Sequence, residues 1–170
     1  MTTLILKEIE TPTGVMRLGA TEDALVLCDW PDAQGAAHCL SALCRRLGAV
    51  PVPGDSPVLE KAEKALKDYF AGRLQTFDMP LRPCGTPFQE TVWRALLEIP
   101  YGKTASYGDI ARRIGRPTAF RAVARAVGAN PLCIAVPCHR IIGSDGSLTG
   151  FGGGLDRKVL LLKLEGHADF

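Results

Sequence analysis

Residues 106–131 read SYGDIARRIGRPTAFRAVARAVGANP, and this stretch decides the fold. Ser106 and Asp109 stand three residues apart, the spacing of a reciprocal cap, and open a helix that runs through Ile114. Gly115-Arg116-Pro117 is a compact turn. Thr118 is placed to cap a second helix that continues to about Ala129, and Asn130-Pro131 then forces the chain to turn. Two short helices across a three-residue turn containing glycine make a helix-turn-helix pattern. At about 100° per residue, Phe120, Val123, Ala124 and Val127 fall on one face of the second helix, and Arg121, Ala122, Arg125 and Ala129 on the other. The outer face sets two guanidinium forks among alanines small enough to let a groove wall come close, which reads as a docking surface. An alanine-rich helix chosen only for its propensity is the alternative.

Immediately downstream, Leu132–Val136 is apolar and strand-like, and delivers Pro137-Cys138-His139-Arg140 followed by Ile141-Ile142-Gly143. A thiol beside an imidazole between apolar flanks is a candidate nucleophile with its base, because the thiolate is the reactive form and a nearby base or positive charge supplies it near neutral pH. A buried structural cysteine beside a solvated histidine is the plainer reading. Adjacent side chains do not naturally meet, so His139 acts on Cys138 only in a tight turn or through a water. Asn130 is placed to brace such a turn through side-chain bonds to the backbone. A histidine base needs a third group to orient it, and Glu165 is the candidate. It closes the apolar helix Leu155–Leu164, where a carboxylate opposes the helix dipole; a solvated terminal glutamate reads equally well. Gly150-Phe151-Gly152-Gly153-Gly154 ahead of that helix suits a mobile or closely approached loop, or a plain linker.

Upstream, Thr86, Pro87 and Gln89 open a helix carrying Phe88, Val92, Trp93, Leu96 and Leu97 and ending before Pro100. Three prolines in residues 80–87 mark a boundary between two domains, 1–80 and 81–170. The first domain reads as a scaffold. Leu4–Leu6, Val15–Leu18 and Ala24–Trp30 are three strands, with Thr13-Gly14 as a turn. Residues 33–47 form an amphipathic helix, residues 48–57 a loop holding three prolines, and Pro57–Phe70 a second helix capped by Ser56. Glu60–Lys64 and Glu63–Lys67 are expected as i,i+4 pairs along it. The fold class is therefore α/β of the α+β type: a small three-stranded N-terminal sheet with helices, joined to a mostly helical, winged-helix-like C-terminal domain.

The chain has 170 residues, 46% of them hydrophobic, and no long apolar run, so no membrane span and no secretion signal are expected. Six cysteines without regular spacing point to a reducing, cytoplasmic setting. A zinc site from Cys28, His38, Cys39 and Cys44 is not expected, since their spacing fits no compact finger and Cys44 lies on a helix core face. The net charge of +2 is unevenly spread: residues 1–80 carry 8 Lys+Arg against 11 Asp+Glu, and residues 81–170 carry 12 against 7. The basic half holds the Cys-His pair, which fits a polyanionic partner or merely uneven solubilising charge.

The chain resembles the O6-alkylguanine-DNA alkyltransferases, strongly over residues 86–166 and loosely before them. The resemblance rests on Pro137-Cys138-His139-Arg140 after Asn130-Pro131, on the helix Arg121-Ala122-Val123 to Ala129, on Ser106-Tyr107-Gly108, and on Leu164-Glu165-Gly166-His167. It implies that Cys138 accepts the alkyl group from O6 of guanine (or O4 of thymine), once and irreversibly, with no cofactor and no metal. It implies that His139 takes the thiol proton through a water, held by Glu165, with Asn130 shaping the turn and Tyr107 rotating the nucleotide and protonating the leaving base. Arg121 would fill the gap left in the duplex, and Ala122, Arg125, Ala129, Thr118 and Ser106 would contact the minor groove of double-stranded DNA. Tyr107, Val136, Pro137, Phe151, Gly152 and Gly153 would line the pocket for the extruded base. A monomer is implied, with cooperative binding along DNA left open. Two departures bear on alkyl size: Gly152-Gly153-Gly154 offers only backbone groups, and Phe151 stands where the family often has tyrosine.

Overall fold

The computed structural model describes residues 2–170 and divides into two compact units, Met1–Cys84 and Gly85–Phe170. The fold class is mixed α/β, with a small sheet and helices in the first unit and a mostly helical second unit.

In the first unit, strand β1 (Thr2–Thr11) pairs antiparallel with β2 (Gly14–Ala20), which pairs antiparallel with β3 (Leu25–Asp29). The first hairpin turns at Pro12-Thr13, and Gly14 already belongs to β2 opposite Thr11. The expected three strands are there, but the sheet has a fourth among the described residues. Ala49–Pro53, expected as loop, is strand β4, parallel to β1 with Thr2 opposite Ala49 and Leu6 opposite Pro53. Its prolines are tolerated because β4 is an edge strand in the order β3-β2-β1-β4, where alternate amides have no partner to lose. Helix α1 (Ala36–Leu47) starts three residues later than its periodicity suggested, behind the left-handed Gly35. It brings Leu43 onto Leu4, Val26 and Leu27, with Cys39 and Cys44 packed at the margin.

Helix α2 (Pro57–Phe70) forms as its cap predicts: Ser56 Oγ accepts from the Leu59 amide at 3.2 Å, and Leu59, Ala62, Leu66 and Tyr69 are buried. Of the two expected surface pairs, Glu63–Lys67 forms at 2.9 Å. Lys64 turns instead to Asp68 at 2.7 Å, the acid that also collects Arg73. Glu60, in the first turn, is already favoured there by the helix dipole.

In the second unit, helix α3 (Pro87–Leu96) opens with the complete Thr86/Gln89 capping box, and α4 (Tyr107–Arg113) with that of Ser106 and Asp109. Helix α5 (Phe120–Gly128) packs on both, burying Val123, Ala126 and Val127; Trp93 Nε1 donates to the Ala126 carbonyl at 2.7 Å. Two expectations fail here. Thr118 is exposed and does not cap α5, whose first turn follows Ala119 without a side-chain bond. Phe120, the first residue of the helix, is 50% exposed, and Ala126 takes a buried place beside Val123 and Val127.

The short parallel strands β5 (Ala105–Ser106) and β6 (Ile141–Ile142) tie the start of α4 to the exit of the Cys-His segment. Helix α6 (Leu155–Leu164) packs on the turn holding Cys138. Among the described residues no helix is long and apolar enough to cross a membrane.

Candidate active site

The run Leu132–Val136 is not the strand that its apolar composition suggested. The chain doubles back: Val136 N donates to Leu132 O at 2.8 Å and Ala135 N to Cys133 O at 2.9 Å. Ile134 sits at φ +72°, the single positive-φ residue other than glycine among those described. That conformation is costly for a β-branched side chain, and such outliers survive where the surroundings hold them. Asn130 does the holding. Its Oδ1 accepts from the Leu132 amide and its Nδ2 donates to the Val136 carbonyl, both at 2.9 Å. The turn launches a short 3-10 helix, Cys138–Arg140, all three side chains buried.

His139 and Glu165, 26 residues apart in sequence, meet at 2.7 Å through Nε2 and Oε2, both fully buried. The same carboxylate receives Arg140 twice, Nε to Oε1 at 2.8 Å and Nη2 to Oε2 at 3.1 Å. Arg140 also donates to the Ile99 carbonyl at 2.7 Å and lies over the Tyr101 ring. With the guanidinium beside it, Glu165 is an ionised acceptor, so Nε2 carries the imidazole proton and donates it. Nδ1 then keeps its lone pair, buried and without a hydrogen-bond partner among the described residues. Burial pushes the His139 pKa down despite the carboxylate, so the ring is neutral at neutral pH and able to accept a proton.

The Cys138 thiol is pulled below its ordinary value. Hydrogen bonding with Cys133 is the largest cause, joined by Asn130 and the charge of Lys158, against the opposing effect of burial. His139 is not among these influences. Lys158, on α6, is fully buried, and its ammonium reaches the Ile141 carbonyl and, at 3.4 Å, the Thr149 hydroxyl. Burial lowers its pKa to about 8, and the Cys138 charge opposes that fall. The Thr149 hydroxyl in turn meets Tyr107 OH at 2.9 Å. Thr149 thus links Tyr107 to Lys158, and Lys158 holds the exit of the Cys138 segment through the Ile141 carbonyl.

The structure brings Cys138, His139, Glu165 and Asn130 together, with Val136 and Pro137 buried alongside. Phe151 and Gly153 are half-buried and Gly152 is exposed, with Gly152 passing close to the Gly128 carbonyl at the end of α5. Arg121, Ala122 and Arg125 lie exposed on α5, and Ala129 is exposed at its C-cap. Ser106 spends its hydroxyl on capping α4, where it accepts from the Asp109 amide at 3.0 Å. Sequence reasoning missed Arg140, Lys158, Cys133 and Thr149. The signal for the first was present: a lone cation inside an apolar run needs a partner for its charge.

Comparison with known proteins gives consistent matches. The family model for 6-O-methylguanine DNA methyltransferase, DNA binding domain, matches residues 87–167. The methylated-DNA–protein-cysteine methyltransferase of Methanosarcina barkeri is 44% identical over 161 residues, covering 92% of this chain and 94% of that one. The protein of the same name from Mycobacterium leprae is 52% identical over 122 residues, 72% of each chain. Among solved structures, Mycobacterium tuberculosis OGT in complex with DNA superposes with a TM-score of 0.80 at 43% identity, covering 96% of this chain and 92% of that one. The O6-methylguanine-DNA methyltransferase of Pyrococcus kodakaraensis does so at 0.67 and 25%, covering 96% and 99%.

Proposed function

This chain belongs to the methylated-DNA–protein-cysteine methyltransferase family, and from that premise we propose that it repairs O6-alkylguanine, and O4-alkylthymine, in DNA by taking the alkyl group onto its own Cys138. The observation that supports this most is the buried Cys138 turn, with His139 held at 2.7 Å by a carboxylate that Arg140 keeps ionised. In this step the thiol proton passes through a water to His139 Nδ1. The sulfur lone pair forms a bond to the alkyl carbon as the carbon–O6 bond breaks, and the electron pair stays on the base. Tyr107 OH protonates the leaving guanine, and the imidazolium proton later restores the phenol. Thiol and alkyl ether become thioether and guanine, and because water and thiols do not readily cleave a thioether, each molecule reacts once. A free thiol with a pKa of about 8.5 is only a few per cent ionised near neutral pH, so the pull of Cys133, Asn130 and Lys158 serves the step directly.

A base within a duplex lies out of reach of a fixed sulfur, so it must be extruded, at a cost of a few kcal/mol. The exposed face of α5, with Arg121, Ala122, Arg125 and Ala129, is the surface we assign to the minor groove, and Arg121 fills the vacated stack. We assign the lining of the pocket that receives the base to Tyr107, Val136, Pro137, Phe151, Gly152 and Gly153.

Incubating the protein with duplex DNA containing O6-methylguanine should add one methylene-equivalent per chain, found by peptide mass spectrometry on the fragment containing Cys138. Unchanged mass with retained DNA binding would make the protein a damage sensor; demethylation with turnover and no mass gain would make it a hydrolase. Arg121→Ala should slow transfer from duplex DNA at least about tenfold, since part of the extrusion cost is no longer offset. It should leave transfer from a free O6-benzylated guanine unchanged, and an equal loss on both substrates would remove Arg121 from this role.

A further inference from the structure

Lys158 is fully buried on α6, and its ammonium faces three oxygens: the Ile141 carbonyl, the Thr149 carbonyl at 3.5 Å and the Thr149 hydroxyl at 3.4 Å. One cation therefore holds Thr149 by both its backbone and its side chain. The hydroxyl has a second neighbour, Tyr107 OH at 2.9 Å, and either oxygen of that pair can supply the proton between them. The cation favours one direction. An ammonium has donors and no acceptor, so it takes a lone pair of Thr149 Oγ1 and turns the single hydroxyl proton away from itself. Accepting from a charged donor also polarises the hydroxyl and makes it a better donor in turn. The Thr149 proton then goes to the phenol oxygen, and the phenol proton points elsewhere. The reverse polarity would leave the Thr149 proton without a hydrogen-bond acceptor among the described residues.

We propose that Thr149 is a positioning residue for Tyr107: its hydroxyl, oriented by Lys158, donates to the phenol oxygen and leaves the phenol's own proton facing the extruded base. The relevance to repair rests on Tyr107 acting as the acid, as argued above; the bond from Thr149 to Tyr107 can be tested apart from it. When the carbon–O6 bond breaks, its electron pair stays on the base, the Tyr107 proton moves to the base, and the phenol becomes a phenolate. The bond from Thr149 is then charge-assisted and roughly twice as strong as before. It strengthens as the reaction proceeds, which is how a group that does not touch the reacting atoms lowers a barrier. The frame around the pair supports this role. Tyr107 opens α4 behind the Ser106–Asp109 cap, and Ser106 pairs with Ile142, next to the Ile141 whose carbonyl holds Lys158. Phenol and threonine are thus fixed from the same two-stranded sheet.

The test compares the unaltered protein with Thr149→Val and Thr149→Ala, which lack the hydroxyl, and Thr149→Ser, which keeps it. Three quantities are read: methyl transfer from O6-methylguanine duplex, alkylation of Cys138 by iodoacetamide, and the Cζ resonance of Tyr107 in protein labelled at tyrosine, assigned by its loss in Tyr107→Phe. Thr149→Val and Thr149→Ala should slow methyl transfer roughly tenfold and displace the Cζ resonance, since a donated bond to the phenol is gone. Thr149→Ser should stay within about threefold on transfer and keep the resonance in place. Iodoacetamide needs no acid, so its rate should change by less than about twofold in all three. In a Tyr107→Phe background, Thr149→Val should cost nothing further. An unmoved resonance in Thr149→Val and Thr149→Ala overturns the proposal, as does full transfer in both. Equal losses on DNA and iodoacetamide also overturn it, because Thr149 then acts on the sulfur. If Tyr107→Phe transfers at the unaltered rate while the resonance still moves, the acid reading of Tyr107 fails and the assigned bond stands.

Discussion

Cys138→Ser should abolish alkyl transfer while leaving the fold and DNA binding in place. The change swaps sulfur for oxygen in a buried side chain with hydrogen-bonding neighbours, so stability should move by no more than about 1 kcal/mol. In the proposed reading, binding depends on the basic face of α5, which the substitution does not touch. Chemistry is lost because a serine hydroxyl is scarcely ionised at neutral pH, and the neutral His139 is too weak a base to change that. Removal of a nucleophile from a catalytic unit costs roughly a millionfold elsewhere, which here means no detectable mass gain over hours. Binding of the variant to duplex DNA should weaken as salt is raised, since phosphate contacts release counterions. Methyl transfer surviving in Cys138→Ser, or appearing on Cys133, would move the acceptor role to another sulfur.

Arg140→Met should be the most damaging single change to stability in the second unit. Glu165 is buried and depends on Arg140 for two of its bonds. Taking one partner from a buried charged pair leaves the other uncompensated and costs about 3–5 kcal/mol. Part of that penalty is relieved if Glu165 takes up a proton, and then it no longer accepts only. His139 can present its other tautomer, with Nδ1 protonated and useless as a base. The expected outcome is a drop in thermal midpoint together with transfer slowed at least tenfold in whatever remains folded. The double change Arg140→Met with Glu165→Leu removes both charges and should regain part of the stability but none of the activity. A double variant as active as the unaltered protein would detach the carboxylate from the chemistry.

These two sites also show where sequence reading succeeds and stops. Three helix starts could be read directly from signals confined to one turn: Ser56 with Pro57, Thr86 with Gln89, Ser106 with Asp109. The groups of such a cap are neighbours along the chain, so spacing alone fixes their geometry. The meeting of His139 with Glu165 was one of two open readings, because a carboxylate at a helix end is either unfavourable or paired, and only the fold decides. Strand β4 was misread since its prolines argue against a strand, whereas its pairing to β1 lies almost fifty residues away and leaves no local trace. Leu132–Val136 misled for the opposite reason. Its β-branched and apolar residues favour extension, and it was Asn130, bonding both ends, that overrode them. Arg140 was visible only as an oddity: a cation where an apolar run should continue.

Proline-bearing β4 has a consequence for the molecule as a population. Its outer margin shows Val50 and Val52 to solvent, the kind of sticky border along which copies of a protein stack into fibrils. Pro51 and Pro53 withhold the donors that an incoming chain would have to grip, so the border is apolar yet barren as a template. If each molecule reacts once, as proposed, the protein has to be made afresh for every lesion, and a crowd of newly made copies is where such a guard matters most.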